Sequence, residues 1–340
     1  MSSDYCLPAL PDLFTDRAEA ASQDDWSADG IRATVPFVTI AICTWNRASL
    51  LRQTLTHLRA LVVPEGLPWE LVIVDNNSTD ATCRVIREFE KCLPIVELFV
   101  PEQGVANARN AAARAAKGLF VICLDDDVRV DPQLLMAYLD AFRTWPNVAF
   151  FGGPIEPIFE GTPPPWALGV RASALVFGAL DYGSAPIELS PRHLPFGANM
   201  AFATHALKRF VFDPALGRRA GGMLNGEETH LCMQLLGEGL GGRWVPGARL
   251  RHYVPIRHQT ISHLRCYYAG AGRTNALRAG DMRSLGRLTK GLWLYRQWIV
   301  AELLYWYRRL TAKPNVWLPL AAHASGWWGH IQHWRGESSS

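Results

Sequence analysis

The sequence predicts an α/β protein: a mostly parallel sheet flanked by helices, followed by a C-terminal helical extension. Two observations carry this. Between residues 37 and 145, short apolar runs alternate with segments whose apolar residues recur at helical spacing. Strands buried on both faces read as continuous apolar runs, and parallel neighbours need crossover helices. Beyond residue 280 the texture changes to long, basic, tryptophan-rich stretches. The 340 residues, 49% hydrophobic and 19% charged, suit a globular chain with a sizeable core.

The elements follow in order. FVTIAICT, from Phe37, is the first strand, and Leu51, Leu55, Leu58 and Val62 at i, i+4, i+7 and i+11 mark the helix after it. ELVIVD is the second strand, ending at Asp75, with a helix over Thr82–Lys91. IVELFV is the third, followed by a helix over Ala106–Lys117 and the fourth strand, LFVICLDD. Asp131 and Pro132 read as N-cap and first helical position of a helix reaching about Trp145. GGPIEPIFEGTPPPW is rich in Gly and Pro and reads as loop. FGANMAF is a short strand, and AGGMLNGEETHLCMQLLGEG a glycine-rich loop feeding a helix. Residues 1–32 are acidic, with no sustained apolar period, and read as a tail or surface strap. The chain thus divides at 1–32, 33–280 and 281–340.

Composition excludes several classes. A net charge of +3 leaves no whole-protein footprint for nucleic acid. Seven scattered cysteines without a C-x-x-C pair argue against a disulfide scaffold or zinc ribbon and for a reducing, cytoplasmic setting. No signal peptide and no uncharged apolar run of transmembrane length are expected. Residues 281–340 hold 8 Lys+Arg against 3 Asp+Glu and seven of the 13 tryptophans. Such segments suit peripheral membrane contact, or equally a helical cap or an oligomer contact. The absence of G-x-x-x-x-G-K-[ST], of G-x-G-x-x-G after the first strand and of G-x-S-x-G leaves P-loop, dinucleotide-redox and α/β-hydrolase chemistry unsupported.

The chemistry-bearing residues gather at strand ends. Asp75 ends the second strand, and Asp125, Asp126 and Asp127 end the fourth. Ligands of open parallel sheets bind outside those carboxyl ends. Three adjacent carboxylates repel unless a cation relieves them, and oxygen ligands suit Mg²⁺ or Mn²⁺; a solvated acidic turn is the plainer alternative. Arg109 and Asn110 lie in the first turns of the alanine-rich helix, where a solvent-facing role is equally open. Glu227 and Glu228 in NGEETHL suit a helix N-terminus, and equally a general base on a flexible loop. His252, with Arg257 and His258 close by in sequence, is either structural or a cation ligand.

TIAICTWNR, VIVDNNSTD, GVANARNAAARAAKG, LDDDV, FGANMAF and NGEETHLCMQL stand in the order and spacing of family-2 glycosyltransferases. Over about residues 36–275 the chain resembles that family, and within it the bacterial cell-surface polysaccharide branch. The resemblance implies a GT-A fold, a nucleotide-diphosphate-sugar donor and a saccharide or lipid-linked acceptor. By the same resemblance, Thr44, Trp45, Asn46 and Arg47 line the nucleotide pocket, and Asp75 accepts from the base. Arg109 lies near ribose and phosphates, and Asp125-Asp126-Asp127 matches the D-x-D element. Asp127 binds the metal, with Asp125 or Asp126 facing metal or ribose and His252 nearby. Asn199 sits near the donor sugar, and Glu228, in preference to Glu227, is the base of a single inverting displacement. Two departures stand out: Glu228 occupies the place of a usual Asp, and Ala203-Thr204-His205 follows FGANMAF where Arg is common. The rival readings are a sugar-phosphate nucleotidyltransferase and an inactive membrane scaffold.

Overall fold

The first four strands form where the apolar runs lie. β1 (Val38–Thr44), β2 (Trp69–Asp75), β3 (Ile95–Phe99) and β4 (Phe120–Asp125) pair in parallel in the order β3-β2-β1-β4. The structure, a computed structural model, describes residues 37–219, 224–279 and 287–336. The acidic segment 1–32, part of the glycine-rich loop before Glu227 and residues 281–286 of the extension lie outside them.

Val38, Ile40 and Ile42 of β1, and Leu71 to Val74 of β2, are fully buried, which is why these strands read as unbroken apolar runs. The crossovers are α1 (Ala48–Leu58), α2 (Thr82–Phe89) and α3 (Val105–Ala115). The first helix is a turn shorter than its apolar repeat suggests. Val62 lies beyond α1 and is 43% exposed; its N–H donates to the Pro132 carbonyl at 2.9 Å instead of continuing the helix ladder.

After β4 the chain makes β5 (Val128–Val130), α4 (Leu134–Thr144), β6 (Phe150–Gly152) and β7 (Ile155–Phe159). The helix at Asp131-Pro132 starts later than expected. Asp131 Oδ1 accepts the Gln133 N–H at 2.8 Å in a preceding turn, and α4 begins at Leu134. The Gly/Pro-rich stretch expected as loop contains β7. Pro157 is tolerated there because β7 is an edge strand of a small sheet, β5-β10-β7.

The chain continues through α5 (Arg171–Val176), β8 (Asn199–Ala203), α6 (Thr204–Arg209), α7 (Glu227–Gly237), β9 (Gly242–Trp244) and β10 (Leu250–Val254). β8 runs antiparallel to β4 and β6, completing a seven-stranded sheet, β3-β2-β1-β4-β8-β6-β9. Phe120, Tyr138, Phe142 and Phe151 lock α4 onto it, with Phe120 and Phe142 stacked at 3.9 Å. Each such ring contributes roughly 1.5–3 kcal/mol by burial. Because β1 leads outward to β2 and β3 while β4 returns on its other side, the strand order reverses between β1 and β4. That reversal opens the crevice in which such sheets bind ligands.

Three helices complete the fold: α8 (Ile261–Arg278), α9 (Arg287–Thr311) and α10 (Pro314–Arg335). α8 and α10 approach so closely that a Cβ on Gly329 would collide with the Ala269 carbonyl. Arg265 of α8 pairs with Glu302 of α9. Tyr305, Trp317, Leu318 and Ala321 share a second core with Phe177, Val254 and Leu264. The extension therefore packs as a helical cap. Its exposed side is apolar: Leu292, Ile299, Leu303, Trp306, Tyr307 and Leu310 of α9 are 48–86% exposed. No helix of the described residues is long and apolar enough to cross a membrane.

Candidate active site

Chemistry-bearing side chains converge on the carboxyl ends of β1 and β4. Thr44, the last residue of β1, donates its hydroxyl to Asp126 Oδ2 at 2.6 Å. Trp45 is 39% exposed at the pocket wall. Asn46 takes a left-handed backbone (φ 51°), which Asn tolerates better than most residues. Its Oδ1 accepts the backbone N–H groups of Thr79 (2.7 Å) and Asp80 (3.2 Å), tying this turn to the loop after β2. Arg47 reaches back with Nη1 to Asp126 Oδ1 (3.0 Å) and Asp127 Oδ2 (2.5 Å).

The guanidinium of Arg47 thus relieves part of the repulsion expected among the three aspartates. Asp126 and Asp127 are both buried but respond in opposite directions. Burial, with the Asp127 charge beside it, pushes Asp126 up despite Arg47. Asp127 is held well below the usual carboxylate range, because His252 and Arg47 outweigh its burial. A charge-assisted contact in a desolvated site is strong enough to do this.

One oxygen of this cluster is orphaned. Asp127 Oδ1 is buried without a hydrogen-bond partner and lies 3.3 Å from His252 Nε2. His252 Nδ1 lies 3.0 Å from the Phe177 carbonyl oxygen. In the neutral ring that carbonyl takes the Nδ1 proton, which leaves the Nε2 lone pair aimed at Asp127. Two acceptors facing one another suit a bridging proton or a cation. Burial lowers the affinity of His252 for a proton, and the charge of Asp127 reverses that, so the pKa of the ring is raised.

The opposite wall comes from α3 and α7. Arg109, buried in α3, pairs with Glu227 and reaches Asp125 Oδ1 at 3.3 Å. Gly197 leaves the room for that guanidinium, which any Cβ there would strike. Glu227 and Glu228 open α7 behind Gly226, whose φ of 92° favours glycine. Glu227 is buried and engaged by Arg109. Glu228 lines the pocket without an ion-pair partner among the described residues. Burial, and then the charge of Glu227, push Glu228 up to about 8.

These groups surround a pocket of about 570 Å³, lined among others by Thr44, Trp45, Asn46, Arg47, Arg109, Asp125, Asp126, Asp127, Glu227, Glu228 and His252. Two expected residues lie outside that lining. Asn199 is fully buried: its Oδ1 accepts from the Tyr138 hydroxyl (2.7 Å), and its Nδ2 donates to the carbonyls of Pro154 (3.0 Å) and Ala248 (2.7 Å). These bonds hold the Asn199 side chain in the core, outside the pocket lining. Asp75 is buried and accepts the Ser78 N–H at 2.8 Å; its neighbour Asn76 reaches the pocket instead. Asp125, expected as a further cation ligand, faces Arg109, and the described residues contain no cluster of three metal-ligand side chains. Sequence reasoning missed Arg218, His263 and Tyr267, which also line the pocket. They sit in stretches with no local motif and become neighbours only through the placing of α8.

Residues 39–203 match the model of glycosyl transferase family 2. The chain therefore carries a family-2 glycosyltransferase domain. Validoxylamine A glucosyltransferase from Streptomyces hygroscopicus subsp. limoneus is 38% identical over 115 residues, covering 33% of this chain and 25% of that protein. Chondroitin synthase from Escherichia coli is 30% identical over 155 residues, covering 44% and 22%. The succinoglycan biosynthesis protein ExoM from Rhizobium meliloti is 29% identical over 157 residues, covering 42% and 50%. The chain thus spans between a fifth and a half of the length of these curated relatives. Among solved structures, a mannosyltransferase from Pyrobaculum calidifontis in complex with GDP-Man and Mn²⁺ superposes with a TM-score of 0.55 at 20% identity, covering 89% of this chain and 88% of that one. TarS from S. aureus in complex with UDP-GlcNAc gives 0.52 at 16%, covering 80% and 72%. At these identities the likeness shows the fold, which is of the GT-A type.

Proposed function

We propose that this chain is an inverting, metal-dependent glycosyltransferase that moves a sugar from a nucleotide-diphosphate-sugar to an acceptor hydroxyl in polysaccharide or glycolipid synthesis. The observation that carries this reading is the division of labour between two adjacent acids facing one pocket. Glu227 is locked by Arg109, while Glu228 has no ion-pair partner among the described residues and has its proton affinity raised into the working range of a general base.

The nucleotide half of the pocket is the turn Thr44–Arg47 with Asn76 and Gly104, whose N–H donates to Asn76 Oδ1 at 2.8 Å. Asp127 and His252, whose Oδ1 and Nε2 face one another, would hold a divalent cation. Mg²⁺ and Mn²⁺ take one or two protein ligands and complete their shell with phosphate oxygens and water, so a two-residue seat is sufficient. When bound, the cation neutralises the charge that develops on the leaving diphosphate. Arg47 holds Asp126 and Asp127 in place. Arg109 orients Glu227 and Asp125. Glu228 takes the acceptor proton as the acceptor oxygen attacks the anomeric carbon from the face opposite the leaving group, which inverts the configuration. The displacement is a single step and needs no covalent nucleophile.

Peripheral membrane contact through α9 extends the reading to a lipid-linked acceptor. It is supported by the exposed apolar stripe, with Arg296, Arg308 and Arg309 exposed on the same helix and Glu302 turned inward to Arg265. The test of the transferase reading is release of nucleoside diphosphate from a panel of nucleotide sugars with Mn²⁺. An inactive scaffold releases none, and a nucleotidyltransferase instead forms nucleotide sugar from nucleoside triphosphate and sugar phosphate.

A further inference from the structure

The C-terminal cap reaches the pocket through the turn that ends α5. That helix closes on Gly178, whose φ of 72° favours glycine. The Ala179 N–H donates to the Ala174 carbonyl at 2.8 Å, and the Gly178 N–H to the Leu175 carbonyl at 3.3 Å. These are the two bonds of a Schellman turn. They leave the Phe177 carbonyl to face His252 Nδ1 at 3.0 Å. The approach is close: a Cβ on Gly178 would stand 3.3 Å from the same nitrogen. Leu175, Val176 and Gly178 themselves line the pocket.

α5 has six residues and is too short to hold its shape unaided. Packing must place its last carbonyl. Phe177 is fully buried; its ring meets Phe159 edge-on at 5.2 Å and lies 6.0 Å from Trp166. The Tyr268 hydroxyl of α8 donates to the Ala172 carbonyl at 3.0 Å. α10 packs directly on α5 and on the turn Pro165–Ala167, which carries Trp166. Trp317, Leu318 and Ala321 of α10 share one core with Phe177, and Tyr305 of α9 backs Trp317 at 6.3 Å. Val254, two residues beyond His252 on β10, belongs to the same core. Both ends of the Phe177–His252 contact are thus seated in a cluster that the cap completes. Close-packed interiors transmit small changes of volume to their neighbours. Resting on the cation seat proposed above, we infer that the cap is a positioning element of the site: Trp317 and Leu318 hold the Phe177 carbonyl on His252 and so keep the ring turned with Nε2 toward Asp127.

The test uses the full chain and two readings. One is the affinity for Mn²⁺ alone, by electron paramagnetic resonance titration. The other is the exchange with water of the His252 Nδ1 proton, by NMR on metal-free protein. Leu318→Ala is expected to weaken Mn²⁺ binding at least threefold and to speed the proton exchange. Gly178→Ala disturbs the carbonyl directly and should cost about tenfold, since losing an outer partner of a metal ligand typically costs 10–100-fold. Leu318→Met keeps the volume and should restore both readings. Ile331→Ala empties an equally buried position about 20 Å further along α10; it should lower the melting temperature and leave both readings as in the wild type. Leu318→Val, a smaller deletion, replaces Leu318→Ala if that variant does not fold. If either reading is unchanged in the folded Leu318 variant, or changes equally in Ile331→Ala, the cap is only structural and the inference is overturned while the cation seat stands. Wild-type protein that binds no Mn²⁺, or binds it equally after Asp127→Asn, overturns the seat itself, and the inference with it.

Discussion

Replacing Glu228 with Gln preserves the shape of the side chain and removes the proton acceptor the reaction needs. A positioned general base contributes typically 10²–10⁴-fold, so kcat is expected to fall by that factor, about 2.7–5.5 kcal/mol of barrier. The pH dependence sharpens the test. Burial and the charge of Glu227 both favour the protonated form, so the active, ionised form accumulates as pH rises through about 8. At pH 7 about a tenth of the sites are ionised, and at pH 9 about nine tenths. The wild-type rate should therefore rise several-fold from pH 7 to 9, while the residual rate of Glu228→Gln stays flat. Glu227→Gln removes the neighbouring negative charge and should move the wild-type profile to lower pH. The assay is initial-rate release of nucleoside diphosphate across pH 6–10. The reasoning is refuted if Glu228→Gln keeps its rate within about threefold while Glu227→Gln loses it.

Other consequences are structural or concern surfaces. Arg109→Met leaves Glu227 buried and unpaired; breaking such a pair costs about 3–5 kcal/mol, which chemical denaturation would read as a lower midpoint. Asn199→Leu strands the Tyr138 hydroxyl and two buried carbonyls at roughly 1–3 kcal/mol each; thermal melting should fall while KM for the donor in the remaining folded protein stays unchanged. Leu303→Glu and Leu310→Glu, on the exposed stripe of α9, should each cut co-sedimentation with anionic vesicles several-fold without altering soluble donor hydrolysis. Unchanged sedimentation would remove α9 from the account.

What was legible in the sequence follows from where the physics is local. β1, β2 and β4 are buried on both faces, so their runs stand out, and the order of alternating elements dictates a parallel sheet. The acids ending β4 and opening α7 were visible because strand ends and helix starts put side chains at the crevice. Less legible was anything decided by distant packing. Val62 looked helical, yet its N–H is claimed by the distant Pro132 carbonyl. Pro157 obscured a strand that survives because it lies on an edge. Asn199 sat in a suggestive motif, yet Tyr138 and two loop carbonyls claim it. The relief of the aspartates by Arg47 joins residues about eighty apart. That His263 and Tyr267 reach the pocket depends on how α8 docks, which no local pattern reports.

The central claim is a donor site organised around Asp127. Calorimetric titration of UDP, GDP, dTDP and CMP, each with and without Mn²⁺, on the wild type and on Asp127→Asn tests it most directly. The account predicts that one nucleoside diphosphate binds tightly only with Mn²⁺, and that Asp127→Asn abolishes the metal-dependent part. Binding indifferent to Mn²⁺, or unchanged in Asp127→Asn, would contradict it.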